Sequence, residues 1–210
     1  MRPLSLEDMS VVGRWFEQID DLTVFDRRAV LPVSAAATQT AWREVLLAPE
    51  PRDSYWFAID DGAGQIVGLA GLQAINYIHG DAILPIYISK PARRRGVGVR
   101  SAGILLDLGF HQLRLTRITS YYRADNAASR QLIEICGFRE EGRIRKGWFT
   151  RGRHVDVVVV GILASEWRAR RRGVQERMQA DTVLCFGCEA DRGWPWPDTA
   201  KQGAASDTKA

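Results

Sequence analysis

The chain has 210 residues, 46% of them apolar, and a formal net charge of +4. That is enough apolar material for one packed domain with a tail, and no run approaches the roughly 18 consecutive apolar residues of a membrane helix. The opening stretch, Met1 to Asp8, carries acids and no apolar h-region, so a signal peptide is not expected and a cytoplasmic setting is.

In chain order, Leu4 to Asp8 reads as a short strand leading into a helix. The apolar face of that helix holds Met9, Val12, Trp15 and Phe16. From Asp20 to Pro51 the pattern is irregular, with one helix expected around Thr38 to Leu47. Tyr55 to Asp60 and Gln65 to Asn76 read as strands joined by the turn Asp61-Gly-Ala-Gly64. The second is apolar enough to be covered on both faces. Asp81 to Ser89 is the next strand, and Pro85 inside it must interrupt pairing because proline has no N–H to give a ladder. A helix over Val99 to Leu113, a strand over Arg117 to Arg123 and a helix over Ala127 to Ile135 follow, the last stopped by Gly137. Arg139 to Phe149 and His154 to Leu163 form a final hairpin turned at Arg151-Gly152. Beyond Arg172 periodicity is lost, and residues 173 to 210 read as a tail, mostly disordered or loosely docked, after a domain spanning 1 to 172.

The segment Pro91-Ala-Arg-Arg-Arg-Gly-Val-Gly-Val99 stands out. It joins a strand to a helix, and free N–H groups at a helix start, together with the helix dipole, suit a phosphate. Gly96 and Gly98 let the backbone approach closely. A Gly-x-Gly alone is equally a plain turn. The fuller set is more specific: Arg93-x-x-Gly96-x-Gly98, then Asn126-x-x-Ser129, then Gly137-Phe138-Arg-Glu-Glu141-Gly142.

This order and spacing, over about Arg2 to Trp167, resembles the GNAT superfamily of acetyl-CoA-dependent N-acetyltransferases. The likeness is greatest to the branch of ribosomal-protein N-terminal acetyltransferases. The resemblance implies an α/β (α+β) fold: a mixed, mostly antiparallel sheet of about seven strands flanked by helices. Its fourth and fifth strands, Asp81–Ser89 and Arg117–Arg123, would splay apart around acetyl-CoA. It also implies acetyl transfer to a primary amine, either a protein N-terminus or a small molecule.

On that footing Ile86, Tyr87 and Ile88 would line the pantetheine arm and thioester. Arg93, Arg94, Arg95, Gly96, Val97 and Gly98 would hold the pyrophosphate, and Asn126 and Ser129 would also touch the cofactor. Asn126 equally suits a helix N-cap. The tyrosine that often protonates the leaving thiolate is Ile133 here, which leaves Ser129 as the candidate acid, with Tyr121 and Tyr122 behind it. The branch's glutamate base falls at Trp148. Asp81, Asp156 and Glu141 are the remaining carboxylates, Glu141 as a structural group, and bulk water is the alternative proton acceptor. Asp20, Asp21 and Asp26, with Trp148 and Phe149, would wall the acceptor side.

The missing tyrosine and glutamate keep a second reading open, a non-catalytic acyl-CoA-binding module. The arginines Arg168, Arg170, Arg171 and Arg172 suit a solvated helix end better than a nucleic-acid surface. Cys136 reads as a packing residue, and Cys185-Phe-Gly-Cys188 supplies two thiols with no partner motif, so no metal site is expected. The chain is expected to be a monomer or homodimer, with no membrane or nucleic-acid partner.

Overall fold

The computed structural model describes residues 1–17, 34–178, 182–186 and 190–194. Eight strands form one sheet: β1 (Arg2–Pro3), β2 (Tyr55–Asp60), β3 (Ile66–Asn76), β4 (Asp81–Ile83), β5 (Ile86–Ile88), β6 (Arg117–Arg123), β7 (Arg139–Thr150) and β8 (Arg153–Leu163). The order is β1-β2-β3-β4-β6-β8-β7, with β5 also paired to β3. Every pairing is antiparallel except β4 with β6. The expected single strand over Asp81–Ser89 is two, because Pro85 splits it, which turns about seven strands into eight.

Helices α1 (Met9–Trp15) and α2 (Ala35–Leu46) pack on one face of the sheet, and α3 (Val97–Asp107), α4 (Ala127–Cys136) and α5 (Ala164–Met178) on the other. The alternation of strand side chains sorts the two cores. Phe57, Ile59, Ala70 and Leu72 point to the α3–α5 side, with Ile104, Ile133 and Trp167. Ala58, Leu69 and Tyr87 point to the α1–α2 side, with Met9, Val12 and Phe16. β3 is therefore covered on both faces, as its apolar composition predicts.

The helix expected over Val99–Leu113 starts at Val97 and ends its regular turns at Asp107, then widens into a π turn over Leu108–Gln112. The side chain of Asp107 is fully buried there and accepts from Trp167 Nε1 (2.7 Å) and from Arg171 Nε (2.8 Å). These bonds tie α5 across α3. The C-terminal arginines consequently do not form one patch: Arg171 points inward to Asp107, Arg170 reaches the Ile135 carbonyl (3.2 Å), and Arg172 pairs with Glu176 (2.8 Å).

The boundary expected at residue 172 falls inside α5, and Val174 beyond it is buried in the core, so the packed unit extends further than the loss of periodicity suggests. Past it, β9 (Thr182–Phe186) and β10 (Ala190–Trp194) form a separate antiparallel hairpin within the stretch expected as an aperiodic tail. Among the described residues no helix is long and apolar enough to cross a membrane.

Removing one partner of a buried ion pair leaves the other charge unsolvated, at a cost of about 3–5 kcal/mol. Asp107→Ala is expected to lower unfolding stability by about that amount, read as a drop in urea midpoint. A change below about 1 kcal/mol would mean that α5 is not anchored through this pair.

Candidate active site

The site begins where the sheet stops being continuous. β4 and β6 run parallel and pair over Asp81–Ile83 and Arg117–Thr119. The last backbone bond between them is Leu84 N–H to the Thr119 carbonyl, at 2.8 Å. Pro85 has no N–H to continue the ladder. β5 stays with β3, while β6 stays with β8, so the two strands diverge toward their C-terminal ends.

The polarity of the walls follows from strand alternation. Gly71 N–H donates to Pro85 C=O (3.1 Å) and Ser89 N–H to Val67 C=O (2.9 Å), which makes Leu69/Tyr87 the bonded pair between them. The N–H groups of Ile86 and Ile88 therefore turn away from β3 and into the gap. On β6, the bonds Ala124 N–H to Asp156 C=O (2.9 Å) and Ala164 N–H to Thr116 C=O (3.0 Å) set the even residues against β8. Tyr121 N–H therefore also faces the gap. None of these three amides has a hydrogen-bond partner among the described residues. Backbone N–H groups left unpaired inside a sheet are uncommon and call for a partner.

Both strands hand over to helices at the open end. After β5 the chain bends through two left-handed residues, Arg94 (φ +63°) and Gly96 (φ +75°), into the first turn of α3. The amides of Arg94 through Gly98 have no partner among the described residues, and they form a helix start of the kind that receives anions. Gly98 lets that turn sit close to its neighbours: a Cβ there would lie 2.9 Å from Leu132 Cδ1 on α4. A large residue at Gly98 would thus disturb the contact between α3 and α4 as well as any ligand.

After β6, Asn126 caps α4. Its Oδ1 accepts from Ser129 N–H (3.1 Å), the capping role its residue type suggests. The Ser129 hydroxyl carries no bond among the described residues and sits half-buried in that first turn. The turn is held by Arg123, which bonds Asp125 (2.9 and 3.2 Å) and Thr150 Oγ1 (3.3 Å). The Arg123 hydrogen bonds, with help from Arg153, outweigh burial and keep the Asp125 carboxyl below the usual carboxylate range.

Several expected site residues take other parts. Tyr87 lends its backbone to the β3 ladder, and its ring packs on Trp15 (5.6 Å) and Phe16 (4.9 Å), so it supports the wall without lining it. Arg93 folds back: Nε donates to the Ile88 carbonyl (2.9 Å) and the guanidinium lies 5.7 Å from the Tyr87 ring centre. It fixes the turn, and Arg93, Arg94 and Arg95 are all exposed.

Asp81 stands opposite Arg117 in the strand register at the closed end of the β4–β6 ladder, roughly 10 Å of strand before the opening. Asp156 caps the bulge of β7, its carboxylate accepting from Lys146 N–H (2.9 Å). Glu141 lies over Gly161 and pairs with Arg117, a structural role. Trp148 is buried and Phe149 is exposed against His154, so only the second is available as a wall.

Ile133 is in the core, and Tyr122 is buried there too, its phenol pushed up by burial. Burial likewise pushes the Cys136 thiol up to about 12, as suits a packing residue. Asp20, Asp21, Asp26 and Cys188 lie outside the described residues. Among the described residues no cluster of metal-binding side chains occurs.

Sequence reasoning missed Ser120, whose hydroxyl donates to the Leu84 carbonyl (2.8 Å) at the apex of the gap. The signal was present: a serine stands between Ile118 and Tyr122 in the buried phase of β6.

Comparison with known proteins agrees with this geometry. Residues 1–139 match a family profile described as an acetyltransferase (GNAT) domain. The spermidine N(1)-acetyltransferase of Vibrio cholerae is 33% identical over 114 residues, 54% of this chain and 66% of that protein. The putative ribosomal N-acetyltransferase YdaF of Bacillus subtilis is 28% identical over 108 residues, 51% of this chain and 59% of the relative. The chain thus spans about two thirds or less of the length of these curated relatives.

The crystal structure of spermidine N-acetyltransferase from Vibrio cholerae in complex with CoA and spermine superposes with a TM-score of 0.71 at 25% identity. That likeness covers 80% of this chain and 96% of the other. The family match runs from β1 past the end of α4 and so contains both walls of the gap and both helix starts: the chain belongs to the GNAT acetyltransferase family.

Proposed function

We propose that the protein is an N-acetyltransferase that moves an acetyl group from acetyl-CoA to a primary amine by direct attack in a ternary complex. The observation that carries the proposal is the set of partnerless amides at Ile86, Ile88 and Tyr121, facing one another across a gap whose mouth is a helix start. An extended pantetheine arm is an amide-bearing chain that fits such an interrupted ladder, and a diphosphate suits the amides of Arg94 to Gly98. Bound acetyl-CoA would supply the activated acetyl group as a thioester.

The chain's residues then have separable tasks. The amides of Ile86, Ile88 and Tyr121 offer donors to the carbonyl oxygen as negative charge grows on it; one well-aimed donor of this kind is worth about 3–4 kcal/mol. Arg94 and Arg95 add charge-assisted bonds to the phosphates. The Ser129 hydroxyl, which has no partner among the described residues, is the proposed hydrogen-bond donor to the leaving sulfur. Asp156 is engaged by Lys146 and Glu141 by Arg117, while Asp81 stands at the closed end. The proton of the attacking ammonium is therefore assigned to water, and positioning carries the chemistry.

The acceptor would enter from the α1–α2 face, where the Tyr121 side chain is exposed. Its class is a small-molecule amine, as in the spermidine acetyltransferase relative, or a protein N-terminus. The proposed setting is the cytoplasm, with the protein as a monomer or homodimer.

The test is mass-spectrometric detection of acetyl transfer to spermidine, spermine, free-N-terminus peptides, amino sugars and aminoglycosides. A product 42 mass units heavier than one acceptor class is expected. Tight acetyl-CoA binding with no product across the panel would favour the non-catalytic acyl-CoA-binding alternative. Separately, the double variant Arg94→Ala, Arg95→Ala should weaken acetyl-CoA binding about tenfold or more while leaving the melting temperature unchanged, because both side chains are exposed. Unchanged affinity in calorimetry would remove the phosphates from this turn.

A further inference from the structure

The β4–β6 ladder ends on a side chain. In a parallel pair the strand residue that donates to one partner carbonyl accepts from the N–H two residues further on. Leu84 donates to Thr119, so its carbonyl is in line for Tyr121 N–H. The Ser120 hydroxyl donates to that carbonyl at 2.8 Å, and Tyr121 N–H has no partner among the described residues.

Ser120 is buried on the face that also carries Ile118 and Tyr122. A hydroxyl in such a place is costly unless bonded, and the Leu84 carbonyl is its hydrogen-bond partner. Beyond the apex, β5 is held by β3 and β6 by β8, so the walls part there. Pro85 prevents β5 from donating to β6, but it does not prevent Leu84 from accepting one more bond from it.

We propose that Ser120 is a positioning residue that sets where the sheet opens. By drawing the Leu84 carbonyl toward the buried face of β6, away from the line of the Tyr121 amide, it keeps the ladder from closing by one more rung and holds that amide in reserve for the acyl donor. This rests on the acetyl-CoA reading above. Ser120 acts through Leu84 and Tyr121 and does not itself touch the reacting atoms.

The consequence runs against the usual effect of deleting a buried hydrogen bond. In Ser120→Ala the Leu84 carbonyl is released, Tyr121 N–H bonds it, and the sheet gains a rung while the gap loses one. Acetyl-CoA binding should weaken about tenfold with no fall in melting temperature. Ser120→Thr, which keeps the hydroxyl, should bind like the wild type.

The experiment pairs calorimetric acetyl-CoA titration of wild type, Ser120→Ala and Ser120→Thr with amide hydrogen exchange at Tyr121 in the ligand-free proteins. The expected result is a fast-exchanging Tyr121 amide in wild type and Ser120→Thr, and a protected one in Ser120→Ala with weaker binding. Ser120→Ala that is less stable or fails to fold would overturn the proposal, as would a Tyr121 amide that exchanges alike in all three proteins. The exchange arm needs no ligand: if the wild type does not bind acetyl-CoA, the functional reading fails, and Tyr121 protection still decides the role of Ser120.

Discussion

The structure depends on one break in a hydrogen-bonded ladder. A sheet is stable because its backbone donors and acceptors are paired, and buried amides left open work against that stability. Here the break is built from two local devices on facing strands. Pro85 removes a donor from one side, and the Ser120 hydroxyl takes an acceptor that the other side would use. The result is a slot lined by the amides of Ile86, Ile88 and Tyr121, shaped for a ligand that completes the ladder.

Everything else secures that slot. β3 is covered on both faces and holds β5 in register, while β8 holds β6, so each wall is backed by a complete ladder. The connections then place the starts of α3 and α4 at the open end, as expected where parallel strands diverge at their C-terminal ends. Arg93, bonded to the Ile88 carbonyl, and Arg123, bonded to Asp125, fix the two turns that lead into those helices. Further away, the buried Asp107 side chain pins α5 over α3. Family membership agrees with this arrangement, since the matched residues 1–139 contain all of it except α5 and the final hairpin.

How much of this was legible in the sequence depends on whether the cause was local. The glycine-containing turn into α3, the Pro85 interruption, the Asn126 cap and the strand-helix order follow from residue type and spacing, and they could be read directly. Side-chain destinations were not legible in the same way. Arg93 has the chemistry of a phosphate ligand, but its Nε–H is tied back to the Ile88 carbonyl at the strand end. Asp156 has the chemistry of a base, but the β7 bulge presents it with the Lys146 amide. Asp81 sits at the closed end of its strand, because the direction of splay is set by how three strands pair and not by any one of them. Arg171 reads as a member of a basic cluster until α5 is packed against α3, where the same residue becomes the partner of a buried carboxylate. The strand pairing that makes β9 and β10 a hairpin likewise left no periodic trace that distinguished it from a tail.

The most direct measurement is residue-resolved amide hydrogen exchange by NMR, with and without saturating acetyl-CoA. Ile86, Ile88 and Tyr121, together with the amides of Arg94 to Gly98, are expected to gain protection on binding, while Tyr87, already bonded across to β3, does not change. Protection elsewhere, or none at these positions in the presence of bound acetyl-CoA, would contradict the claim that the broken ladder is the cofactor site.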